Sequence, residues 1–395
     1  MNTITIKLPL YEPTNIKIEM YKKMRSNFSR ACNQVLAYKK EHPTVKASEL
    51  DRHIHSIPLP STLHQEARKL AVSRFNDWKK NAKTKGFPLF REKISILFNN
   101  QNWRLRFDKG HLNVGLPTLE DGNLTIEKYV PLQVNAYTLF WVNYLLTGKM
   151  DPQSKYCQSS FEGVSVPKKG NAQLFEKKGK WYFSFAISFE TNASSKTSKA
   201  IGVDRGLRLI AVAGDAESGK YMTFNGRQIG HIRRTYSRLR RTFMKAKNMK
   251  ALKRLEDKEQ RVIRYWNHVI SKKIVKFGIE CGASIINLED LSNIRSMKKY
   301  WKRADRNINS WAFYDLEKKL TYKSRLAELR VEKVSPFKTS QECSKCGRIN
   351  KSNRRKANYT CSCGYKDHAD VNASFTISKR SSIGSNDQTA ACAAV

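Results

Sequence analysis

The chain has 395 residues, with 74 Lys+Arg against 34 Asp+Glu and a formal net charge of +40. A surplus of that size repels itself in a compact state and is tolerated where a polyanion neutralises it, which excludes an ordinary metabolic enzyme and makes nucleic acid the expected partner. The 40% hydrophobic and 10% aromatic content excludes a wholly disordered basic chain, and the longest nearly apolar run, Tyr137 to Leu146, falls far short of the ~20 residues that a bilayer span needs.

Ile4, Ile6, Leu8 and Leu10 alternate with small or basic neighbours, the period of a strand. Ile18, Tyr21, Met24, Phe28, Ala31, Cys32 and Val35 then recur at three- and four-residue steps among basic residues, and Leu63, Ala67, Leu70, Ala71, Phe75 and Trp78 repeat that pattern. Two basic helices are predicted there. Trp103, Leu105 and Phe107 return to a period of two. Leu174-Phe175 and Trp181 to Phe189 flank Lys177-Lys178-Gly179-Lys180, which predicts a hairpin with glycine in its turn. Residues 192–199, polar and serine-rich, read as a linker.

Beyond the linker, residues 200–203, 209–213 and 221–224 predict three short strands. Ile229, Ile232, Tyr236, Leu239 and Phe243 predict a helix, followed by a second from about Leu252 to Phe277 running antiparallel to it. Ser284 to Leu288 is a buried strand ending at Glu289; a helix near Trp311 to Leu329 and a strand at Val331 to Val334 follow. Residues 381–395 show no packing pattern and are expected to be disordered. The first six residues lack a secretory pattern, so a cytoplasmic protein is expected, nucleoid-associated in a prokaryote.

Four of the eight cysteines form Cys343-x2-Cys346-x14-Cys361-x-Cys363, with Gly347 and Gly364 directly after each pair. Two tight turns bringing four thiolates together make a closed tetrahedral metal site, structural because no coordination position stays open. Disulfides would instead be spread through a small secreted fold.

Asp204 and Glu289 each stand where a hydrophobic strand meets a loop, and Asp370 follows the cysteine window. Alone, each has a commoner structural role: turn former, solvated strand end, or helix cap. Together, three carboxylates converging from distant segments would repel one another unless divalent cations sat between them, which is the two-metal design for phosphodiester chemistry.

The segments Ile201-Gly-Val-Asp204-Arg-Gly-Leu, Ile286-Asn-Leu-Glu289-Asp-Leu, the cysteine window and Ala369-Asp370-Val-Asn-Ala resemble the split RuvC motifs and zinc ribbon of the TnpB family of RNA-guided DNA nucleases. The front half, with Phe87-Pro-Leu-Phe90-Arg91, matches more loosely. The resemblance implies a mixed α+β fold. A β-barrel-like wedge (1–12 and 86–191) would hold a helical recognition insert (13–85). An RNase H-like nuclease (200–336 and 367–380) would enclose a zinc ribbon (337–366). It further implies Asp204, Glu289 and Asp370 as catalytic ligands of two Mg²⁺, and Cys343, Cys346, Cys361 and Cys363 as ligands of one structural Zn²⁺. The implied partners are one guide RNA per monomer and a double-stranded DNA target beside a short flanking motif. Where many members carry an acid two positions before the third ligand, this chain has His368, with Asp367 as a weaker competitor for that ligand.

Among the basic helix faces, Arg25, Arg30, Lys69, Lys79, Arg233, Arg238 and Arg241 are the candidate phosphate contacts. Trp103, Trp181 and Tyr182 read as core before base-stacking. Two other functions stay open: an RNA-guided DNA-binding protein that does not cut, and a guide-independent nuclease selective for DNA structure.

Overall fold

The computed structural model describes residues 2–81, 86–120, 123–154, 156, 166–190, 198–206, 208–291 and 313–380. The expected disordered tail, 381–395, and most of the expected linker lie outside them. The chain divides into two units, Met1–Glu190 and Thr191–Val395, each mixing helices with sheet.

The first unit runs β1 (Asn2–Pro9), α1 (Asn15–Glu41), α2 (Ala47–Ile54), α3 (Ser61–Lys80), β2 (Ile96–Phe98), β3 (Arg104–Asp108), β4 (His111–Glu120), β5 (Asn123–Pro131), α4 (Ala136–Thr147), β6 (Lys168–Lys177) and β7 (Lys180–Phe189). Its strands form a four-stranded sheet in the order β1-β7-β6-β2 and a three-stranded sheet β3-β4-β5. The two meet where Leu10 bridges Leu132. The hairpin between β6 and β7 turns through Lys178 and Gly179, both at positive φ (55° and 76°), the pair of left-handed residues that matches strand twist in a two-residue loop. Thr14 caps α1 by accepting from the Lys17 N–H at 3.4 Å, and the helix buries Tyr21, Met24, Phe28, Ala31, Cys32 and Val35 along one side. Helix α2 has no counterpart in the sequence reading: at eight residues, with only Leu50 and Ile54 buried, it is too short to show periodicity. Trp103 and Trp181 are core residues, with Trp103 against Phe185 at 5.0 Å. Tyr182 stacks on Phe175 beneath Lys7. These rings are used in packing, so base stacking finds no support here.

The second unit runs β8 (Ala200–Asp204), β9 (Leu209–Gly214), β10 (Tyr221–Asn225), α5 (Arg227–Lys245), α6 (Met249–Leu255), α7 (Lys258–Glu280), β11 (Ile285–Glu289), α8 (Phe313–Leu326), β12 (Arg330–Val334), the short strands β13 (Arg354–Arg355), β14 (Asn358–Thr360) and β15 (Lys366–His368), and α9 (Ala369–Ser378). The main sheet has the order β10-β9-β8-β11-β12. Its first three strands are antiparallel, and β8, β11 and β12 are parallel. The helix expected from Leu252 to Phe277 is two helices, broken at Glu256-Asp257; Leu255 and Val262 lie seven residues apart, two helical turns, so the polar run between them reads as the exposed face of one helix. Arg240 on α5 donates to Glu259 on α7 at 2.5 Å, as an antiparallel pair requires.

Strand alternation sorts the sheet's two faces. Ile201 and Val203 of β8 with Ile286 and Leu288 of β11 share one core with Ile270 and Ile274 of α7 and Leu316 and Leu320 of α8. The residues between them, Gly202 and Asp204, belong to the other face, where α9 lies. A Cβ on Gly202 would stand 2.0 Å from the Ser374 carbonyl oxygen, so the absence of a side chain lets α9 rest directly on β8. The short strands form a separate three-stranded sheet between β12 and α9 in sequence. Among the described residues no helix is long and apolar enough to cross a membrane.

Candidate functional site

Asp204 ends β8 and Glu289 ends β11, two parallel neighbours in register at Leu288 and Val203. Parallel pairing therefore delivers both acids to the same end of the sheet. Arg205, buried beside them, donates to the Glu289 carbonyl at 2.5 Å and to Glu317 of α8 at 3.0 Å, bolting the two strand ends together. The Glu289 carboxylate accepts from the Thr339 hydroxyl at 2.5 Å. Asn287, two residues back on the same face, donates to the carbonyls of Ile377 (3.1 Å) and Arg380 (2.9 Å). It thereby ties the end of α9 to β11, the Ile377 carbonyl accepting from the Arg380 N–H at 3.2 Å as well. The opposite end of α9 carries Asp370. His368 is the N-cap, its Nδ1 accepting from the Asp370 N–H at 3.2 Å, and Arg354 of β13 donates to the Asp370 carboxylate at 2.9 Å.

The electrostatics register the convergence of the three acids. Burial first, and then the negative charges of Glu289 and Asp370, push the Asp204 carboxyl up to about 8, against an opposing effect of Arg354. Burial also raises the Glu289 carboxyl, while the Thr339 hydroxyl and the charges of Arg205, Arg380 and Arg354 pull it back. A buried carboxyl held protonated toward neutral pH, with two more acids adding to the effect of burial, marks a site that added positive charge would stabilise. Asp367 has a different employment: its carboxylate accepts from the Tyr365 hydroxyl at 2.8 Å and the His368 N–H at 2.6 Å.

The cysteines are brought together more tightly. Their four sulfurs all lie within 4.8 Å of one another, the one such group of potential metal ligands among the described residues; the three carboxylates stand wider. Cys343 and Cys363 are 3.7 Å apart, Cys346 and Cys361 3.6 Å. A tetrahedron with metal–sulfur bonds of about 2.3 Å has edges of about 3.8 Å, so the cluster is dimensioned for one metal ion. Each knuckle closes through a glycine at positive φ, Gly347 at 72° and Gly364 at 85°, whose N–H donates back to the first cysteine of its pair at 2.8 and 3.0 Å. Burial raises the Cys343 thiol to about 12, whereas the Cys363 N–H leads the groups that lower Cys361 to about 6.

Asn372 couples this cluster to the acids. Fully buried, it accepts from the Ser344 N–H at 2.9 Å and donates to the Glu342 carbonyl at 2.7 Å. The first knuckle is thus pinned to α9 two residues after Asp370. Arg205, Thr339, Arg354 and Asn372 all escaped the sequence reading. Arg205 and Asn372 stand inside the segments that carry the resemblance, Ile201-Gly-Val-Asp204-Arg-Gly-Leu and Ala369-Asp370-Val-Asn-Ala, which marked their positions without giving them a role.

The candidate phosphate contacts divide. Arg30, Lys69, Lys79, Arg238 and Arg241 are exposed, although Lys69 pairs with Glu66 at 2.7 Å. Arg233 is half-buried. Arg25 is buried, donates to Glu176 at 2.9 Å and lies over the Trp181 ring at 5.1 Å; its charge is committed inside the fold, which removes it from the phosphate-facing set.

Residues 313–377 match the family model described as the Cas12f1-like TNB domain. The chain is 30% identical over 219 residues to the CRISPR-associated endodeoxyribonuclease Cas12f1 of Sulfoacidibacillus thermotolerans, covering 51% of this chain and 50% of that protein. It is 29% identical over 161 residues to a TnpB-like protein of Methanocaldococcus jannaschii, covering 39% and 58%. The chain thus spans about half the length of the curated relatives it matches. A cryo-EM structure of a Cas12f1–sgRNA–target DNA complex superposes with a TM-score of 0.66 at 16% identity, over 92% of this chain and 83% of that one, a likeness of fold. The resemblance to TnpB proteins read from the motifs holds in these comparisons.

Proposed function

We propose that the protein is an RNA-guided DNA endonuclease of the TnpB type that cuts double-stranded DNA beside a short flanking motif by metal-dependent phosphodiester hydrolysis. The observation that carries this reading is that parallel pairing of β8 and β11 brings Asp204 and Glu289 to one end of the sheet, with Asp370 on the helix seated against β8, from segments 85 and 166 residues away; burial first, and then the charges of Glu289 and Asp370, raise the Asp204 carboxyl there. The strand order β10-β9-β8-β11-β12 supports an RNase H-like (RuvC) nuclease over 200–336 and 367–380. The two sheets of the first unit are assigned to the wedge, with residues 13–85 as the recognition insert.

The acids suit Mg²⁺, a hard cation that prefers carboxylate oxygen. Asp204, Glu289 and Asp370 would hold a pair of ions, which when bound supply Lewis-acid stabilisation to the attacking and leaving oxygens. The protein's own part is positional. Arg205 and Thr339 fix Glu289, α9 seated on Gly202 sets the height of Asp370, and Arg354 provides positive charge beside it. The four cysteines suit one structural Zn²⁺ by chemistry and spacing, making residues 337–366 a zinc ribbon. The exposed cations Arg30, Lys69, Lys79, Arg238 and Arg241 would meet the backbones of one guide RNA and its DNA target. Base pairing then reads sequence, while protein reads the flank and helix shape.

The test is cleavage of a plasmid library by the monomeric complex purified with its own RNA, in Mg²⁺. Linear product beside one flank is expected. Asp204→Ala, Glu289→Ala and Asp370→Ala each abolish it while RNA-dependent DNA binding persists. Wild-type binding without cutting would make the protein a nuclease-silent binder, and cutting that survives removal of the RNA would make it guide-independent.

A further inference from the structure

Beside Asp370 lies a cleft of about 190 Å³ lined by Arg208, Arg354, Lys356, Ala357, His368 and Asp370. Its charges do not balance. Arg354 already answers Asp370, while Arg208 and Lys356 are exposed and, among the described residues, form no ion pair. Two rigid turns present them. The Arg208 carbonyl is held by the Gly226 N–H at 2.8 Å, and Lys356 occupies the left-handed position of the turn between β13 and β14, φ 57°.

His368 adds a directed donor. Its Nδ1 accepts from the Asp370 N–H, and a ring nitrogen that accepts carries no proton, so the neutral ring keeps its hydrogen on Nε2. The cleft that this ring lines is thus supplied with one N–H donor and two unanswered cations, the donor set that backbone phosphates attract. Capping alone does not call for histidine, since an aspartate at the same position would accept from the helix N–H equally well but would repel an anion.

We propose that the cleft anchors a backbone phosphodiester of the strand being cut, a neighbour of the scissile group, through Arg208, Lys356 and His368 Nε2. The inference rests on the nuclease reading above and adds a subsite to it. Holding a flanking phosphate fixes the register of the strand relative to the three acids without reading its bases.

The complex purified with its RNA is given a matched duplex in which phosphates flanking the cut are replaced, one at a time, by neutral methylphosphonates. At one position wild-type cleavage falls about tenfold, the loss of one charge-assisted contact. His368→Asp and the double variant Arg208→Ala/Lys356→Ala fall about as far on the unmodified duplex and lose little more on that modified one. His368→Asp keeps the wild-type Tm because the cap survives. In EDTA, where nothing is cut, the double variant flattens the salt dependence of single-stranded DNA binding by about one phosphate contact or more. Variants that cut and bind as wild type, or losses that multiply with the methylphosphonate's, overturn the subsite and leave the nuclease reading intact. A wild type that never cuts overturns both.

Discussion

Gly202→Ala tests how the acids are held in place. The added methyl would stand 2.0 Å from the Ser374 carbonyl oxygen, 2.4 Å from the Ser378 nitrogen and 2.9 Å from the Ile377 carbonyl carbon. All three are backbone atoms of α9, so no side-chain rotation relieves them. Ordinary contact begins at 3.4 Å, and restoring it demands that the helix withdraw by about 1.4 Å, an overpacking that costs about 3 kcal/mol or more. In a unit of this size the Tm should fall by about 6–12 °C. Asp370 sits on the same helix four residues before Ser374, so the withdrawal also lifts it from Asp204. A misplacement of about 1 Å costs on the order of a hundredfold in rate. Gly214→Ala is the comparison: its nearest atoms are the Ser374 hydroxyl at 2.3 Å and the Phe375 ring at 2.9 Å, side-chain atoms and not helix backbone, so its loss should be smaller. Calorimetry and plasmid cleavage read both variants. A Gly202→Ala protein with wild-type Tm and wild-type cleavage would refute direct seating of α9 on β8.

The pH dependence of the metal-free protein should carry the mark of Asp204. Its folded carboxyl stays protonated up to about 8, whereas the unfolded one releases its proton near the ordinary carboxyl value of 3.8. Its contribution is therefore complete below about pH 4 and lost as pH rises toward about 8; urea titrations in EDTA should show Asp204→Asn gaining on wild type across that window, and a constant difference would contradict it. Asn372→Ala orphans the buried Ser344 N–H and leaves the Glu342 carbonyl only the longer bond from the Thr376 hydroxyl at 3.5 Å, and should cost about 1–3 kcal/mol. Limited proteolysis should then release the ribbon while metal analysis still finds zinc. Cys346→Ser should lower the zinc content well below the wild type's and destabilise the ribbon, as read by metal analysis and thermal scans; full activity in a zinc-free preparation would refute that structural role. Arg25→Ala strips Glu176 of its partner and should cost about 3 kcal/mol in denaturant titration, with RNA affinity per folded molecule unchanged.

Much of this chain is legible because its signals are local. Ile4 to Leu10 alternate as strands do, and the hairpin around Lys178-Gly179 states its own turn. The cysteine spacing brings four sulfurs together almost regardless of what surrounds them, because two knuckles with glycine behind them impose the geometry. Asp204 and Glu289 stand out by their placement at the ends of apolar strands, and Asp370 by its place just after the cysteine window. Where local pattern is ambiguous, reading fails: α2 is shorter than a period can resolve, and the break at Glu256-Asp257 hides in a polar run whose flanking Leu255 and Val262 keep a two-turn spacing.

What sequence alone determined is the strands and helices with a clear period, the polyanionic partner class, and two groups of candidate metal ligands. Tertiary structure decided which polar residues serve those groups. Arg25 and Arg30 sit five residues apart on one helix and look alike as letters, yet one is enclosed by Glu176 and Trp181 while the other faces water. Arg205 reaches a residue 112 positions away, and Asn287 one 90 positions away. The physical reason is range: periodicity and turn chemistry act over a few bonds, but a hydrogen bond or a shifted pKa depends on which distant atoms the folded sheet brings within a few ångströms.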